Sequence, residues 1–261
     1  VITDSHAHIY FDSFDADRDA VLARAREAGV TRMLLVGTNV GTSKQCFELA
    51  RGAEGVFPTA GIHPHDASES DASARAAIEA LCRRAECVAV GETGLDYFKN
   101  FSPRDAQLDN FRWHLRLALE LDKPVVVHCR DAHEDTLALL REHRGVRGVM
   151  HCYTYGPEEL GPYLELGFFI SYSGVVTFPK NEANRAAAMA TPLERLLVET
   201  DCPFLAPQRR RGARNEPAYC REVLERLAQL RGLELEALAR ITSDNASRLF
   251  ALPTLRGARE E

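Results

Sequence analysis

The chain has 261 residues, 45% of them hydrophobic and 27% charged, which excludes intrinsic disorder and allows a core that needs neither disulfides nor a structural metal. Acidic residues outnumber basic ones 38 to 32, a formal net charge of −6, so the overall field attracts neither nucleic acid nor an anionic membrane, and a phosphorylated polymer would have to be met by a local basic patch or by bound cations. Seven cysteines without a C-x-x-C pair, no secretory pattern at Val1-Ile2-Thr3-Asp4 and no apolar run of the roughly 18 residues a membrane span needs predict a cytoplasmic protein with reduced thiols.

Eight short apolar runs have strand character, at Val1–Ile9, Met33–Val36, Val56–Ala60, Val88–Gly91, Val125–His128, Val149–His151, Phe168–Ser173 and Leu196–Thr200. Their β-branched content suits strands covered on both faces, as in a parallel sheet. Segments of helical period lie between them: Val21, Leu22, Ala25 and Ala28; Leu108, Phe111, Leu115, Ala118 and Leu119; Leu137 and Leu140; Val223, Leu224, Leu227 and Leu230. Ser102-Pro103 and Gly156-Pro157 read as helix starts, and Gly29 and Gly167 as stops. Leu235, Leu238, Ile241 and Leu249 mark one or two further helices. Alternation without a linker predicts one α/β domain over residues 1–255, a (β/α)8 TIM barrel with extra C-terminal helices, and a frayed tail over 256–261. A doubly wound open sheet competes less well, because no Gly-rich phosphate loop follows the first strand.

In such a barrel the ends of the strands open into the active-site mouth. Here those ends carry His6 and His8, His63 and His65, Glu92, His128, His151 and Asp201. Alternate strand residues share a face, so His6 and His8 can grip one ion. A lone H-x-H is weak, since histidines often serve as core or surface groups. Five of these histidines (His6, His8, His63, His128 and His151) with two carboxylates on one rim form a far more specific signal. Imidazoles with carboxylates suit Zn²⁺ or Mn²⁺, and carboxylates with water suit Mg²⁺. Six ligands (His6, His8, Glu92, His128, His151 and Asp201) exceed what one open catalytic ion takes and are enough for two. Glu92, with two oxygens, is the candidate bridge. Asp201 can both bind an ion and accept a proton from the attacking water, whose pKa divalent ions lower.

The remaining polar residues have blander readings. His114, His133 and His143 fall in predicted helices as exposed or structural groups. Cys129, Cys152 and Cys202 each follow a candidate ligand and should point away from it, into the layer between barrel and helices. A charge run is usually a solvated face, but Arg209-Arg210-Arg211-Gly212-Ala213-Arg214 follows the eighth strand, where barrels often bind phosphate, and would supply a positive patch at the mouth. Arg130 is a further cation near the mouth, and Tyr97 and Phe98 offer a stacking surface for a base.

Seven stretches together resemble the TatD family of metal-dependent deoxyribonucleases: Asp4-Ser5-His6-Ala7-His8, Gly61-Ile62-His63-Pro64, Gly91-Glu92-Thr93-Gly94-Leu95-Asp96-Tyr97, Pro124–His128, His151-Cys152-Tyr153, Ser171–Gly174 and Leu197–Pro203. The resemblance runs from about Thr3 to Phe250. It implies a TIM barrel, a divalent metal centre and hydrolysis of DNA phosphodiesters from the 3′ end of single strands. It places ligands at the same six positions and sets His63 and His65 near the substrate phosphate. Arg210 and Ala213 stand where the family usually has His and Lys, and Phe204 where Tyr is frequent.

The resulting expectation is a cytoplasmic exonuclease with two divalent ions (Mg²⁺, Mn²⁺ or Zn²⁺). His6, His8, Glu92 and Asp201 hold one ion, and Glu92, His128 and His151 the other. Glu92 and Asp201 are catalytic, and His63, His65, Arg130, Tyr97, Arg210 and Arg211 contact DNA, with no membrane or protein partner required. Two rivals remain: a metal-dependent esterase or amidase such as a D-aminoacyl-tRNA deacylase, and a non-catalytic metal-binding barrel, disfavoured because a chain of this size folds without metal.

Overall fold

The computed structural model describes residues 1–253. The expected domain boundary at 255 and the tail 256–261 lie outside the described residues. Each of eight strands is followed by a helix: β1 (Ile2–Ala7), α1 (Arg18–Glu27), β2 (Val30–Leu35), α2 (Val40–Gly52), β3 (Val56–Pro58), α3 (Ala72–Cys82), β4 (Val90–Asp96), α4 (Arg104–Leu121), β5 (Val125–Arg130), α5 (His133–Glu142), β6 (Gly148–Met150), α6 (Leu160–Glu165), β7 (Phe169–Tyr172), α7 (Glu182–Ala190), β8 (Leu196–Val198) and α8 (Cys220–Arg231). One further helix, α9 (Leu235–Phe250), follows. All strand pairs are parallel, in the order β1-β2-β3 and β4-β5-β6-β7-β8. Bridges from Ala60 to Val90 and from Ala7 to Cys202 join the two arcs into a closed barrel, so the open-sheet alternative falls.

Strand alternation sorts the core into two layers. Val125 and Val127 face the helices, packed with Leu115, Leu137 and Leu140, while Val126 faces the barrel interior with Leu34, Val36, Ala89, Val149, Phe169 and Leu197. Ala246, Leu249, Phe250 and Leu252 join this interior cluster and plug the end where the strands begin. Asn245 fastens α9 there by donating to the carbonyls of Leu193 and Leu196.

Several local expectations shift. β4 does not stop near Glu92 but runs on to Asp96, and β5 runs past His128 to Arg130. Ser102 does not cap α4; its hydroxyl donates to the His65 carbonyl and accepts the Ser68 N–H, tying two mouth loops together. α6 begins at Leu160 rather than at Pro157. Gly29 and Gly167 stand just past the ends of α1 and α6, as expected.

Candidate metal centre at the barrel mouth

The interior faces of the strands are apolar near their starts and polar near their ends. Stepping by two along β5 leads from Val126 to His128, past β6 from Val149 to His151, past β8 from Leu197 through Glu199 to Asp201, and from His6 near the end of β1 to His8, with a register break between Asp4 and Ala7. Strict alternation from Val90, which faces the helices, would turn Glu92 outward as well. The register of β4 against β5 breaks between Val90 and Thr93, and Gly91 adopts φ +136°, a conformation that favours glycine; the break turns Glu92 inward. A Cβ on Gly91 would lie 2.7 Å from the Val126 carbonyl oxygen, and one on Gly94 would lie 2.0 Å from that of His128. Both glycines let β4 press against β5 on either side of the carboxylate.

Glu92 is buried, and its two oxygens face different partners. Oε2 lies 3.2 Å from His6 Nε2 and 3.7 Å from His8 Nε2, while Asp201 Oδ1 lies 3.4 Å from His8 Nε2 and 3.7 Å from His6 Nε2. Oε1 lies 2.9 Å from His151 Nε2, 3.1 Å from His128 Nδ1 and 3.3 Å from His63 Nε2. Two atoms bound to one ion at about 2.0–2.2 Å sit roughly 3–3.5 Å apart, so most of these separations fit coordination edges. His6 Nε2 and His8 Nε2 face each other at 3.0 Å, which two ring lone pairs tolerate only with a proton or a cation between them. The donor set therefore fits divalent ions.

The far sides of His8, His128 and His151 support this reading. His8 Nδ1 lies 2.8 Å from the Val36 carbonyl oxygen, His128 Nε2 3.1 Å from Asp96 Oδ2, and His151 Nδ1 3.3 Å from Glu199 Oε1. An N–H at each of these positions leaves the opposite nitrogen free as a ligand. His6 Nδ1 and Glu199 Oε2 are buried without a hydrogen-bond partner among the described residues. Burial opposes ionisation of Glu92, but the surrounding imidazoles, His151 foremost, hold its carboxyl well below the usual range. At Asp201 burial also opposes ionisation, and the neighbouring imidazoles, His8 foremost, together outweigh it. Burial pushes His63 down to about 4, so it stands neutral.

Sequence reasoning passed over three further carboxylates. Asp96, the last residue of β4, accepts from His65 at 2.8 Å and from the backbone N–H groups of Phe98 and Lys99 as well as from His128. Glu199 accepts the Cys152 N–H at 2.6 Å besides orienting His151. Asp4 accepts from the Thr200 hydroxyl and from the backbone N–H groups of Thr200 and His6, linking both ends of the Asp201 ligand set; burial raises its carboxyl to about 7 against the pull of the Thr200 hydrogen bonds. Alternation could have found Asp96 and Glu199, which lie an even number of residues from Glu92 and Asp201; Asp4 pairs with Met33 ahead of a register break in β1, and no alternation points to it.

A cavity of about 420 Å³ opens above the cluster, lined by His8, His63, Glu92, His128, His151 and Asp201 together with His65, Lys99 and Arg130. Not every expected contact reaches it. Tyr97, odd in the alternation, turns outward, where its hydroxyl donates to Asp135 at 2.5 Å and Arg104 covers its ring. Arg210 turns away to Glu222 at 2.8 Å, Arg209 to Glu225 at 3.8 Å and Arg214 to Asp17 at 2.8 Å, so the arginine run is spent in ion pairs with α8 and the segment before α1. Arg211 lies over the Phe178 ring, away from the cavity lining. Cys129 and Cys202 pack in the layer outside the barrel, but Cys152 does not: at φ +43° the chain turns after His151 and brings its thiol 3.2 Å from Ser173 Oγ. His114 is fully buried, and its Nε2 accepts the Ile62 N–H, one residue before His63.

A closed parallel barrel with imidazoles and carboxylates gathered at its C-terminal rim is the frame of a metal-dependent hydrolase. The family model of the TatD-related DNases matches residues 3–251. The chain is 41% identical over 260 residues to the metal-dependent hydrolase YcfH of Escherichia coli (strain K12), covering 98% of this chain and 97% of that one. It is 43% identical over 252 residues to the 3'-5' ssDNA/RNA exonuclease TatD of Citrobacter rodentium, covering 94% and 95%. The crystal structure of YjjV, a TatD homologue from E. coli K12, superposes with a TM-score of 0.92 at 29% identity over 97% of this chain and 98% of that one. This chain belongs to the TatD-related DNase family and is a metal-dependent hydrolase. Among the described residues no helix is long and apolar enough to cross a membrane.

Proposed function

We propose that this hydrolase is a two-ion phosphodiesterase that removes nucleotides from the 3′ end of single-stranded nucleic acid. One observation carries the two-ion part: the two oxygens of Glu92 face separate imidazole groups, His6 and His8 on one side, His128 and His151 on the other. The polarity and substrate class follow the activity named for the C. rodentium relative. Divalent ions (Mg²⁺, Mn²⁺ or Zn²⁺), when bound, would neutralise phosphoryl oxygens and lower the pKa of water. His6, His8, Glu92 and Asp201 would hold the first, and Glu92, His128 and His151 the second. Asp201, held ionised beside His8, takes the proton of the attacking water. His63 and His65 approach the phosphate from the rim, with Arg130 beyond them. Seven free cysteines suit the reducing cytoplasm.

The test is a substrate panel: single-stranded DNA and RNA with a 3′ or a 5′ label, a mischarged tRNA and small carboxylic esters, each with Mg²⁺, Mn²⁺ and Zn²⁺. Stepwise shortening from the 3′ end is expected. Hydrolysis of the esters or the aminoacyl-tRNA with no nucleotide release would replace the phosphodiesterase by a deacylase on the same metal centre.

A further inference from the structure

The mouth has two unlike walls. One is apolar: Phe204 and Leu205 from the loop after β8 and Phe11 from the segment after β1 line the cavity. Phe204, half exposed, meets Phe11 edge to face at 5.5 Å, and Phe11 meets the His8 ring at 5.9 Å, so this wall stands directly against the first ligand group. The opposite wall is cationic. Arg130 and Lys99 line the cavity on the side of His128 and Asp96, the guanidinium lying 3.9 Å over the Phe98 ring and the ammonium 5.7 Å from it. Neither cation forms an ion pair among the described residues, in contrast to Arg209, Arg210 and Arg214. In a molecule of net charge −6, two uncompensated cations beside a half-exposed aromatic ring need a ligand that is anionic on one side and flat and apolar on the other.

A nucleotide with an unpaired base has that character. In a duplex the base faces are hidden in the stack, and only edges and phosphates remain on offer. A cavity of about 420 Å³ also falls in the range of small-ligand sites, far below what a duplex fills. We infer that Phe204, backed by Phe11 and Leu205, is a stacking site for one unpaired base, and that Lys99 and Arg130 hold the adjoining phosphodiester across the mouth. This rests on the nucleic-acid reading above and adds to it the residues that select unpaired strands. Asp96 sets the spacing of the cationic wall, because the carboxylate that orients His128 also anchors the backbone N–H groups of Phe98 and Lys99.

Binding can be read without turnover. Fluorescence anisotropy of the full chain would compare a cleavage-resistant phosphorothioate oligothymidylate with the same oligomer carrying tetrahydrofuran abasic residues at its 3′ end, each at two salt concentrations. The wild-type protein is expected to bind the abasic oligomer about ten-fold more weakly. Phe204→Ala should weaken binding of the natural oligomer by about the same factor and leave the abasic one unchanged, while Phe204→Tyr, which keeps the ring, should restore affinity. Lys99→Ala and Arg130→Ala should weaken both oligomers and each flatten the dependence of log affinity on log salt by roughly 0.7. Unchanged thermal midpoints will show that the variants fold. Equal wild-type affinity for the two oligomers, or equal weakening of both by Phe204→Ala, overturns the stacking site and leaves the nucleic-acid reading standing. No binding of either oligomer overturns both.

Discussion

The same strands build two different interiors. At their starts, Leu34, Val126, Val149, Phe169 and Leu197 pack against α9 into a dry plug. One or two steps further along, the inward positions become His6, His8, Glu92, His128, His151 and Asp201, which are buried or nearly so yet mutually repulsive or in need of partners. The apolar end can supply cohesion, and the polar end can concentrate donors that the rest of the barrel holds in place. Stability and chemistry are thus separated by about two residue steps, roughly 7 Å, along each strand.

That division can be broken from either end. The largest effect is expected for Glu92→Ala, which removes a donor from both ligand groups: turnover should fall by roughly three orders of magnitude or more, with a barely changed thermal midpoint in the presence of chelator. Retained turnover would refute the bridging role. At the other end, Phe169→Ala should cost about 3–5 kcal/mol in denaturant unfolding, while the folded fraction keeps its metal stoichiometry. Loss of metal at unchanged stability would reverse the assignment of the two ends.

His114 tests whether a buried histidine outside the mouth belongs to the structural side. Burial lowers it to about 4, so the folded protein keeps it neutral where the unfolded chain, titrating near 6.5, takes up a proton. The stability it contributes is complete above pH 6.5 and is lost as pH falls from 6.5 to about 4, in total about 3 kcal/mol. His114→Gln should flatten the unfolding free energy over that window relative to wild type. An identical pH profile would mean that the folded site accepts the proton freely. The smallest expected effect sharpens the boundary within the polar end. Asp96→Asn keeps the shape but weakens the grip on His128, so affinity for one of two ions should fall about 10- to 100-fold in a metal titration, with the other unchanged. Equal loss at both would show that the two ligand groups act as one.

Much of the barrel was legible because its signals are local. Buried parallel strands read as short apolar runs, and each of the eight overlaps one of those runs. The candidate ligand positions stood out because polar residues at strand ends interrupt otherwise apolar runs. Register was not legible. That β4 continues to Asp96, and that a break at Gly91 swings Glu92 inward, depends on how β4 meets β5. Tyr97 looked like a stacking residue because it stands close to Glu92, but its place in the alternation sends it to Asp135. The arginine run looked like the phosphate patch because charge was counted without its partners. Glu222, Glu225 and Asp17 lie far along the chain from some of those arginines, and only the packed structure brings them together.

By itself, the order of residues determined the alternation of strands and helices, the kind of donors at the strand ends and the family, because each is written in neighbouring positions through period and residue chemistry. Tertiary structure alone decided which oxygen of Glu92 faces which imidazoles, which carboxylates hold the far sides of His128 and His151, and which cations stay free at the mouth. Those depend on distances between segments tens or hundreds of residues apart, set by strand stagger and by competition for partners, which no local pattern encodes.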